Sequence, residues 1–373
     1  YGVLSNIIKG GFPKPIYPIN PQADAILGLK CYPSVLEVPE PVDLAVIVVP
    51  ARLVARVLEE CGKKGVRGAV IITAGFREVG TEGRQREDEV IAIARRYGMR
   101  LVGPNVLGVI DTVAKLNASF AVGMPQQGKI AFMSQSGALC TSILDIALAE
   151  GIGFSRFISL GNKADTNEID FIEAWRNDPH TAVIMAYLEG IADGPRFIRV
   201  AREVTRDKPI IAIKSGTTSG GARAVSSHTG TLAGSEAAYQ AAFNQAGIIR
   251  ASSVQDLFDY SVAFARQPVL KNNRIAIITN AGGPGIMATD ALERAGLQLA
   301  SLKRETLDYL RANLPEAAST LNPVDVLGDA RADRYGMALE AVMKDDNVGG
   351  VIVILTPPFM TELKETAEAE VRA

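Results

Sequence analysis

Short apolar runs, none longer than a β-strand, alternate with amphipathic helical patterns from one end of this chain to the other. The β-rich runs fall at 15–20, 43–49, 69–73, 100–102, 129–133, 154–159, 182–187, 210–214, 274–279 and 350–355. Helical periodicity fills the gaps, as at 51–64, 84–97 and 139–150. A parallel crossover needs a connection of helix length, so this alternation predicts parallel sheets covered by helices on both faces. The chain has 373 residues, and its 47% hydrophobic content includes only 6% aromatics. That balance suits buried Val, Ile and Ala strands, and the length suits two or three domains.

Composition also excludes classes of function. A net charge of -2 leaves no basic surface for nucleic acid or an anionic membrane. The apolar run Leu44-Ala45-Val46-Ile47-Val48-Val49 is far short of the roughly 20 residues of a membrane span. No signal-peptide pattern is present. The three cysteines, Cys31, Cys61 and Cys140, have neither metal spacing nor a disulfide framework. We therefore expect no metal site, a reducing environment and a cytoplasmic protein.

Two divisions are expected along the chain. A turn at Met124-Pro125-Gln126-Gln127-Gly128 closes a first unit, 1–123, which lacks its own first strand. The polar, Pro-containing stretch 266–273 separates a second unit, 124–268, from a third, 269–373. The chain opens on Tyr1 and ends inside a helical pattern, 361–373, so it reads as part of a longer polypeptide. The second and third units share a design. Ile130 to Leu139 and Ile275 to Ile286 each run from strand through a small-residue turn into a helix.

Those turns are candidate anion sites. Helix N-termini present free N–H groups and a partial positive charge, and Ser136, Gly137, Asn280, Ala281, Gly282 and Gly283 carry little bulk. Taken singly, each could equally be a plain tight turn. His228 raises their interest. It is one of 2 histidines and lies in Ser226-Ser227-His228-Thr229-Gly230-Thr231-Leu232-Ala233-Gly234-Ser235. A neutral imidazole among small neighbours can accept and release a phosphoryl group near neutral pH, and two helix N-termini would neutralise the product. The plainer alternative is a histidine capping the helix that starts near Ser235. Glu189, at the carboxyl end of the 182–187 run, is the candidate carboxylate to orient the imidazole. Pro50, Ala51, Thr73, Ala74, Gly75 and Asn105 all follow strands of the first unit and line one expected rim, a cleft for an extended cofactor. Neither a P-loop nor a G-x-G-x-x-G fingerprint occurs, which weakens a nicotinamide-dependent oxidoreductase.

Several segments together resemble the NDP-forming acyl-CoA synthetase superfamily, ADP-forming acetate–CoA ligases with succinyl-CoA ligases as distant relatives. They are Tyr17-Pro18-Ile19-Asn20-Pro21, Val42 to Ala51, Gly103-Pro104-Asn105, Ser134-Gln135-Ser136-Gly137-Ala138, Gly161-Asn162-Lys163-Ala164-Asp165, the His228 segment and Thr279 to Gly285. The resemblance implies a Rossmann-like CoA-binding domain at 1–123 followed by two flavodoxin-like, succinyl-CoA-ligase-like domains. It implies conversion of acyl-CoA, ADP and phosphate into carboxylic acid, CoA and ATP, through an acyl phosphate and a phosphohistidine at His228. Glu189 would orient that histidine. Ser136 and Gly137 would form one phosphate cradle, and Asn280 to Gly283 the second. Pro50, Ala51, Thr73, Ala74, Gly75 and Asn105 would border CoA. The glycine-rich phosphate turn for CoA is expected upstream of Tyr1. ADP or ATP with Mg2+ would sit on an ATP-grasp domain, fused or on a β-type subunit, in a homodimer or heterotetramer. Gly216 to Gly221 would be a hinge, and Val106 replaces a cysteine common in relatives. The rival class is a non-catalytic CoA- or metabolite-sensing module of an acetyltransferase-type fusion, which the presence of His228 argues against.

Overall fold

The computed structural model describes residues 1–218, 220–221, 235–359 and 361–372. They form two compact units, Tyr1–Gln267 and Pro268–Ala373. His228 lies outside the described residues, as do Ser219 and part of the 216–221 segment.

The first unit opens with α1 (Gly2–Lys9) and a two-residue hairpin, β1 (Ala25–Ile26) and β2 (Leu29–Lys30). A three-stranded parallel sheet follows: β3 (Leu44–Ile47), α2 (Ala51–Lys64), β4 (Gly68–Ile71), α3 (Thr81–Tyr97) and β5 (Arg100–Val102). The α2 limits match the sequence pattern end to end, because Pro50 caps its start and Gly65 ends it at φ 84°. Val54, Leu58 and Cys61 on α2 and Val90, Ile93 and Ala94 on α3 share a core with Ile47, Ala69, Ile71 and Leu101 of the strands. The expected strand at 15–20 is reduced to a single bridge from Ile19 to Tyr32. Pro15, Pro18 and Pro21 cannot donate to a ladder, so a strand cannot be sustained there.

The second sheet of this unit has seven strands, ordered β12-β11-β10-β8-β9-β6-β7. Its members are β6 (Gly108–Asp111), β7 (Leu116–Ser119), β8 (Gln127–Ser134), β9 (Phe154–Ser159), β10 (Val183–Leu188), β11 (Ile210–Lys214) and β12 (Ile249–Arg250). Helices α4 (Gly137–Glu150), α5 (Glu168–Trp175), α6 (Gly194–Val204), α7 (Glu236–Ala246) and α8 (Val254–Arg266) connect and cover it. β8 to β12 are parallel, and buried clusters lie on both sheet faces, as the sequence predicts. The β6–β7 hairpin precedes the turn at 124–128 yet joins this sheet, antiparallel to β9. The chain runs from β8 to β9 on one side and then to β10 on the other. The order therefore reverses between β8 and β10, where open α/β sheets bind their ligands.

The second unit repeats this plan in small. It contains β13 (Arg274–Thr279), α9 (Gly282–Arg294), β14 (Gln298–Leu299), α10 (Arg304–Asn313), β15 (Val324–Asp325), α11 (Ala332–Met343), β16 (Gly350–Ile354) and α12 (Leu363–Arg372). All of its strands run parallel to β13. β14 and β15 pair with successive halves of that strand, and β16 pairs along its length.

Candidate active site

Three side chains at the β8–β10 reversal build a site by hydrogen bonding. Ser134 Oγ accepts from the Ser136 N–H at 3.0 Å and donates to the Ser136 carbonyl at 2.9 Å, which closes the turn after β8. Ser136 then caps α4, its hydroxyl oxygen accepting from the Leu139 N–H at 3.3 Å. The first amides of the helix, from Gly137 and Ala138, have no intrahelical acceptor. The Gly137 Cα faces open space, and the first turn of α4 holds no acid. An anion is favoured there by donors, dipole and room together.

Gln135 fixes what faces this turn. Its Oε1 accepts from the Glu189 and Gly190 N–H groups at 2.8 and 2.9 Å, and its Nε2 donates to the Gly190 carbonyl at 2.8 Å. Lys163 donates to the same carbonyl at 2.9 Å and pairs with Glu168 Oε2 at 2.9 Å. Glu168 is fully buried, so this pair sits in a low dielectric. Glu189, 8% exposed, thereby leaves the end of β10 on a backbone held from two sides.

One segment links this site to the rim of the three-stranded sheet. Gly161 stands at φ 55°, and a Cβ there would lie 2.3 Å from the Pro104 carbonyl oxygen, so glycine is required. Next to it, Asn162 Nδ2 donates to Glu78 Oε2 at 2.7 Å and Glu87 Oε2 at 2.8 Å. Arg77 pairs with Glu87 at 2.8 Å and donates to the Asn162 carbonyl. Burial opposes ionisation of both carboxylates, but the outcomes differ. The Asn162 amide and the Gly75 and Phe76 N–H groups hold Glu78 below the usual glutamate range, whereas for Glu87 burial prevails and raises it.

The six rim residues gather along the carboxyl ends of β3, β4 and β5, with some of their polar groups already engaged. Pro50 is the N-cap of α2, a helix without a side-chain cap or an acid in its first turn. Ala51 packs beside Gly75, whose φ is 105°. The Gly75 N–H is taken by Glu78 at 2.5 Å and its carbonyl by Arg86 at 2.6 Å. Thr73 donates its hydroxyl to the Val49 carbonyl, and Asn105 donates its N–H to the Thr73 carbonyl. The rim thus offers an uncapped helix start and small apolar surface, which suit a phosphate-bearing, extended ligand.

In the second unit, Thr279 Oγ1 closes its turn as Ser134 does, accepting from the Ala281 N–H at 3.0 Å and donating to the Ala281 carbonyl at 2.9 Å. Asn280, 4% exposed, matches Gln135. Its Oδ1 accepts from the Thr356 N–H and hydroxyl, and its Nδ2 donates to the Thr356 carbonyl, each at 2.9 Å. The Asn280 side chain is therefore a strap to the end of β16. Gly282 and Gly283 keep their amides at the start of α9. Asp325 Oδ2, however, lies 3.8 Å from the position a Cβ on Gly282 would take.

Residues 1–112 match the CoA binding domain family, 127–264 the succinyl-CoA ligase like flavodoxin domain, and 275–373 the Ligase-CoA domain. An ADP-forming acetate–CoA ligase I from Archaeoglobus fulgidus is 49% identical over 95% of this chain and 52% of its own length. The alpha subunit of an ADP-forming acetate–CoA ligase II from Pyrococcus furiosus is 45% identical over 99% of this chain and 80% of its own. The chain belongs to the family of the ADP-forming acetate–CoA ligases. A solved dinucleotide forming acetyl-coenzyme A synthetase 1 from Ca. Korarchaeum cryptofilum, in complex with phosphate and ADP, superimposes with a TM-score of 0.95 at 43% identity, covering all of this chain and 80% of that one. The chain spans about half the length of the A. fulgidus relative.

Sequence reasoning singled out Glu189, Ser136 and Gly137, and the structure brings these three to one sheet edge. It did not single out Lys163 or Lys214, nor Gln135, whose partners Glu189 and Gly190 lie 54 and 55 residues away in the chain. An amide directly after a strand end was the available signal for Gln135, and it occurs again at Asn280. Among the described residues, no cluster of His, Cys, Asp and Glu is arranged to hold a metal ion, and no helix is long and apolar enough to cross a membrane. The three cysteines are buried and unpaired, and burial pushes the Cys140 thiol up to about 12.

Proposed function

We propose that this chain carries the acyl-CoA half of an ADP-forming acyl-CoA synthetase, with His228 as the residue phosphorylated. The observation that carries the reading is Glu189, held by Gln135 beside the open N-terminus of α4. Phosphate bound by the Gly137 and Ala138 amides and the Ser136 hydroxyl attacks the thioester carbonyl. The C–S bond breaks, the CoA thiolate takes up a proton, and an acyl phosphate remains. The His228 imidazole then attacks phosphorus, and the P–O bond to the acyl group breaks to release the carboxylate. Glu189 accepts a hydrogen bond from the other ring nitrogen and stabilises the cation that develops. Oriented amides need no rearrangement as charge builds up on the transferring oxygens.

CoA would lie along Pro50, Ala51, Thr73, Ala74, Gly75 and Asn105, making contact through the helix start and apolar surface. Gly282 and Gly283 would offer amides to phosphate in the second unit. Transfer to ADP, with Mg2+, belongs to an ATP-grasp domain or β-type subunit in a cytoplasmic homodimer or heterotetramer. The P. furiosus relative, named an alpha subunit, supports the two-subunit form. The domain limits 1–123, 124–268 and 269–373 go with this assignment. The test is incubation with acetyl-CoA and radiolabelled phosphate. Acid-labile, alkali-stable label that disappears in His228→Asn is expected, and equal labelling of that variant overturns the assignment.

A further inference from the structure

Lys214 is a buried cation that the mechanism above does not use. It ends β11, opposite Leu188 in the β10 register, and the next residue donates its N–H to the Leu188 carbonyl at 3.0 Å. Glu189 follows Leu188 directly. Only 5% of Lys214 is exposed. Its ammonium donates to the Ser215 carbonyl and lies 4.2 Å from the centre of the Tyr239 ring on α7. The sequence between Ser215 and Glu236, the first residue of α7, includes His228.

Three charged groups, Glu236, Glu189 and Arg250, act on Lys214. Burial pulls the ammonium below the usual lysine range. The Glu236 carboxylate of α7 and the Glu189 carboxylate after β10 oppose that shift, and the Arg250 guanidinium of β12 adds to it. Arg250 is spent on Glu236 Oε1 and Gln240. Glu236 Oε2 and Ser215 Oγ are buried without hydrogen-bond partners among the described residues. An ammonium in such a place costs several kcal/mol to desolvate, and an apolar side chain would fill it more cheaply. A buried carboxylate, in turn, keeps its charge only where a cation or donors compensate it.

We infer that Lys214 is a positioning residue, its ammonium supplying the charge that keeps Glu189 an ionised acceptor while fastening the end of β11 to α7. This rests on the phosphohistidine reading. The test follows label from acetyl-CoA and radiolabelled phosphate across pH 5 to 9 in wild type, Lys214→Met, Lys214→Arg, Glu189→Gln and the Lys214→Met/Glu189→Gln double variant. Without the cation, protonation of Glu189 becomes easier, so the acid limb of Lys214→Met moves up by about one unit. Lys214→Arg keeps the wild-type limb. In the Glu189→Gln background, Lys214→Met costs less than twofold, because the group it acts on is already gone. A Lys214→Met that loses rate equally at every pH, or a full loss in the double variant, overturns the inference and leaves Lys214 a packing residue. His228→Asn run in parallel separates the two claims. Label persisting there sinks the phosphohistidine reading, whereas label lost there with an unmoved Lys214→Met limb sinks only this one.

Discussion

The turns at 134–137 and 279–282 share one backbone device and put it to different ends. In each, a strand-terminal hydroxyl closes the turn, and the next side chain, an amide, reaches across the point where strand order reverses to grip the end of a neighbouring strand. Gln135, one methylene longer, reaches two N–H groups and a carbonyl at Glu189 and Gly190. Asn280 grips Thr356, which carries no acid or base. Behind the first clamp stands Lys163, paired with the buried Glu168. At the second stands Asp325, a carboxylate beside the helix start that an anion would approach. A repeated fold unit therefore says where a ligand could bind, and the side chains around it decide whether chemistry can occur there.

Breaking both clamps should give the largest divergence. Gln135→Leu keeps the volume but strands the Glu189 and Gly190 N–H groups, at about 2–4 kcal/mol for two partly buried donors. It also releases the Glu189 backbone from Gln135, and displacing a group that orients the proposed nucleophile by about 1 Å costs on the order of 100-fold in rate. Asn280→Leu should cost similar stability in its own unit and less than tenfold in phosphoenzyme formation. The single tryptophan, Trp175, is buried in the first unit, so its fluorescence follows that unit alone. Gln135→Leu should shift the fluorescence midpoint in urea, and Asn280→Leu only the circular dichroism transition. Equal loss of labelling in the two variants would mean that the second turn holds a reacting group as well.

A smaller effect comes from exchanging the electrostatics. Ser136→Asp gives the first turn a carboxylate like that of the second. Aspartate is a good N-cap, so stability should hold or rise by up to about 1 kcal/mol. The phosphate concentration needed for half-maximal labelling should nevertheless rise about tenfold through charge repulsion. Asp325→Asn makes the second turn resemble the first and should weaken α9 by about 0.3–1 kcal/mol. Unchanged phosphate dependence in Ser136→Asp would remove the first turn from the list of phosphate ligands.

What the sequence could show follows from the range of the forces involved. Strand and helix limits are local, so 51–64 and 154–159 are read correctly from capping residues and apolar runs. The antiparallel hairpin at 108–119 depends on its partner β9, whose Arg156 lies 45 residues beyond Asp111, and nothing near the hairpin announces that pairing. Glu189, Ser136 and Gly137 are legible as ends of strands and starts of helices. Gln135, Lys163 and Lys214 are not, since the partners that give Gln135 its meaning are 54 and 55 residues away. Asn280 shows the converse. Its position reads as an open anion turn, but the structure commits the side chain to a residue 76 positions on.

The smallest expected effect tests whether the two turn-closing hydroxyls are equivalent. Ser134 and Thr279 are both buried, at 0% and 1% exposure, and each satisfies one N–H two residues on. Ser134→Ala and Thr279→Val should therefore each cost about 1–2 kcal/mol through one unpaired buried donor. Ser134→Ala also leaves a gap where the oxygen was, whereas Thr279→Val is close to isosteric. Ser134→Ala should thus be the costlier by a few tenths of a kcal/mol, seen in the fluorescence midpoint, with Thr279→Val visible only by circular dichroism. If the threonine variant cost several kcal/mol more than the serine one, the turns would differ in backbone strain as well as in surroundings, and their likeness would end at the hydrogen-bond pattern.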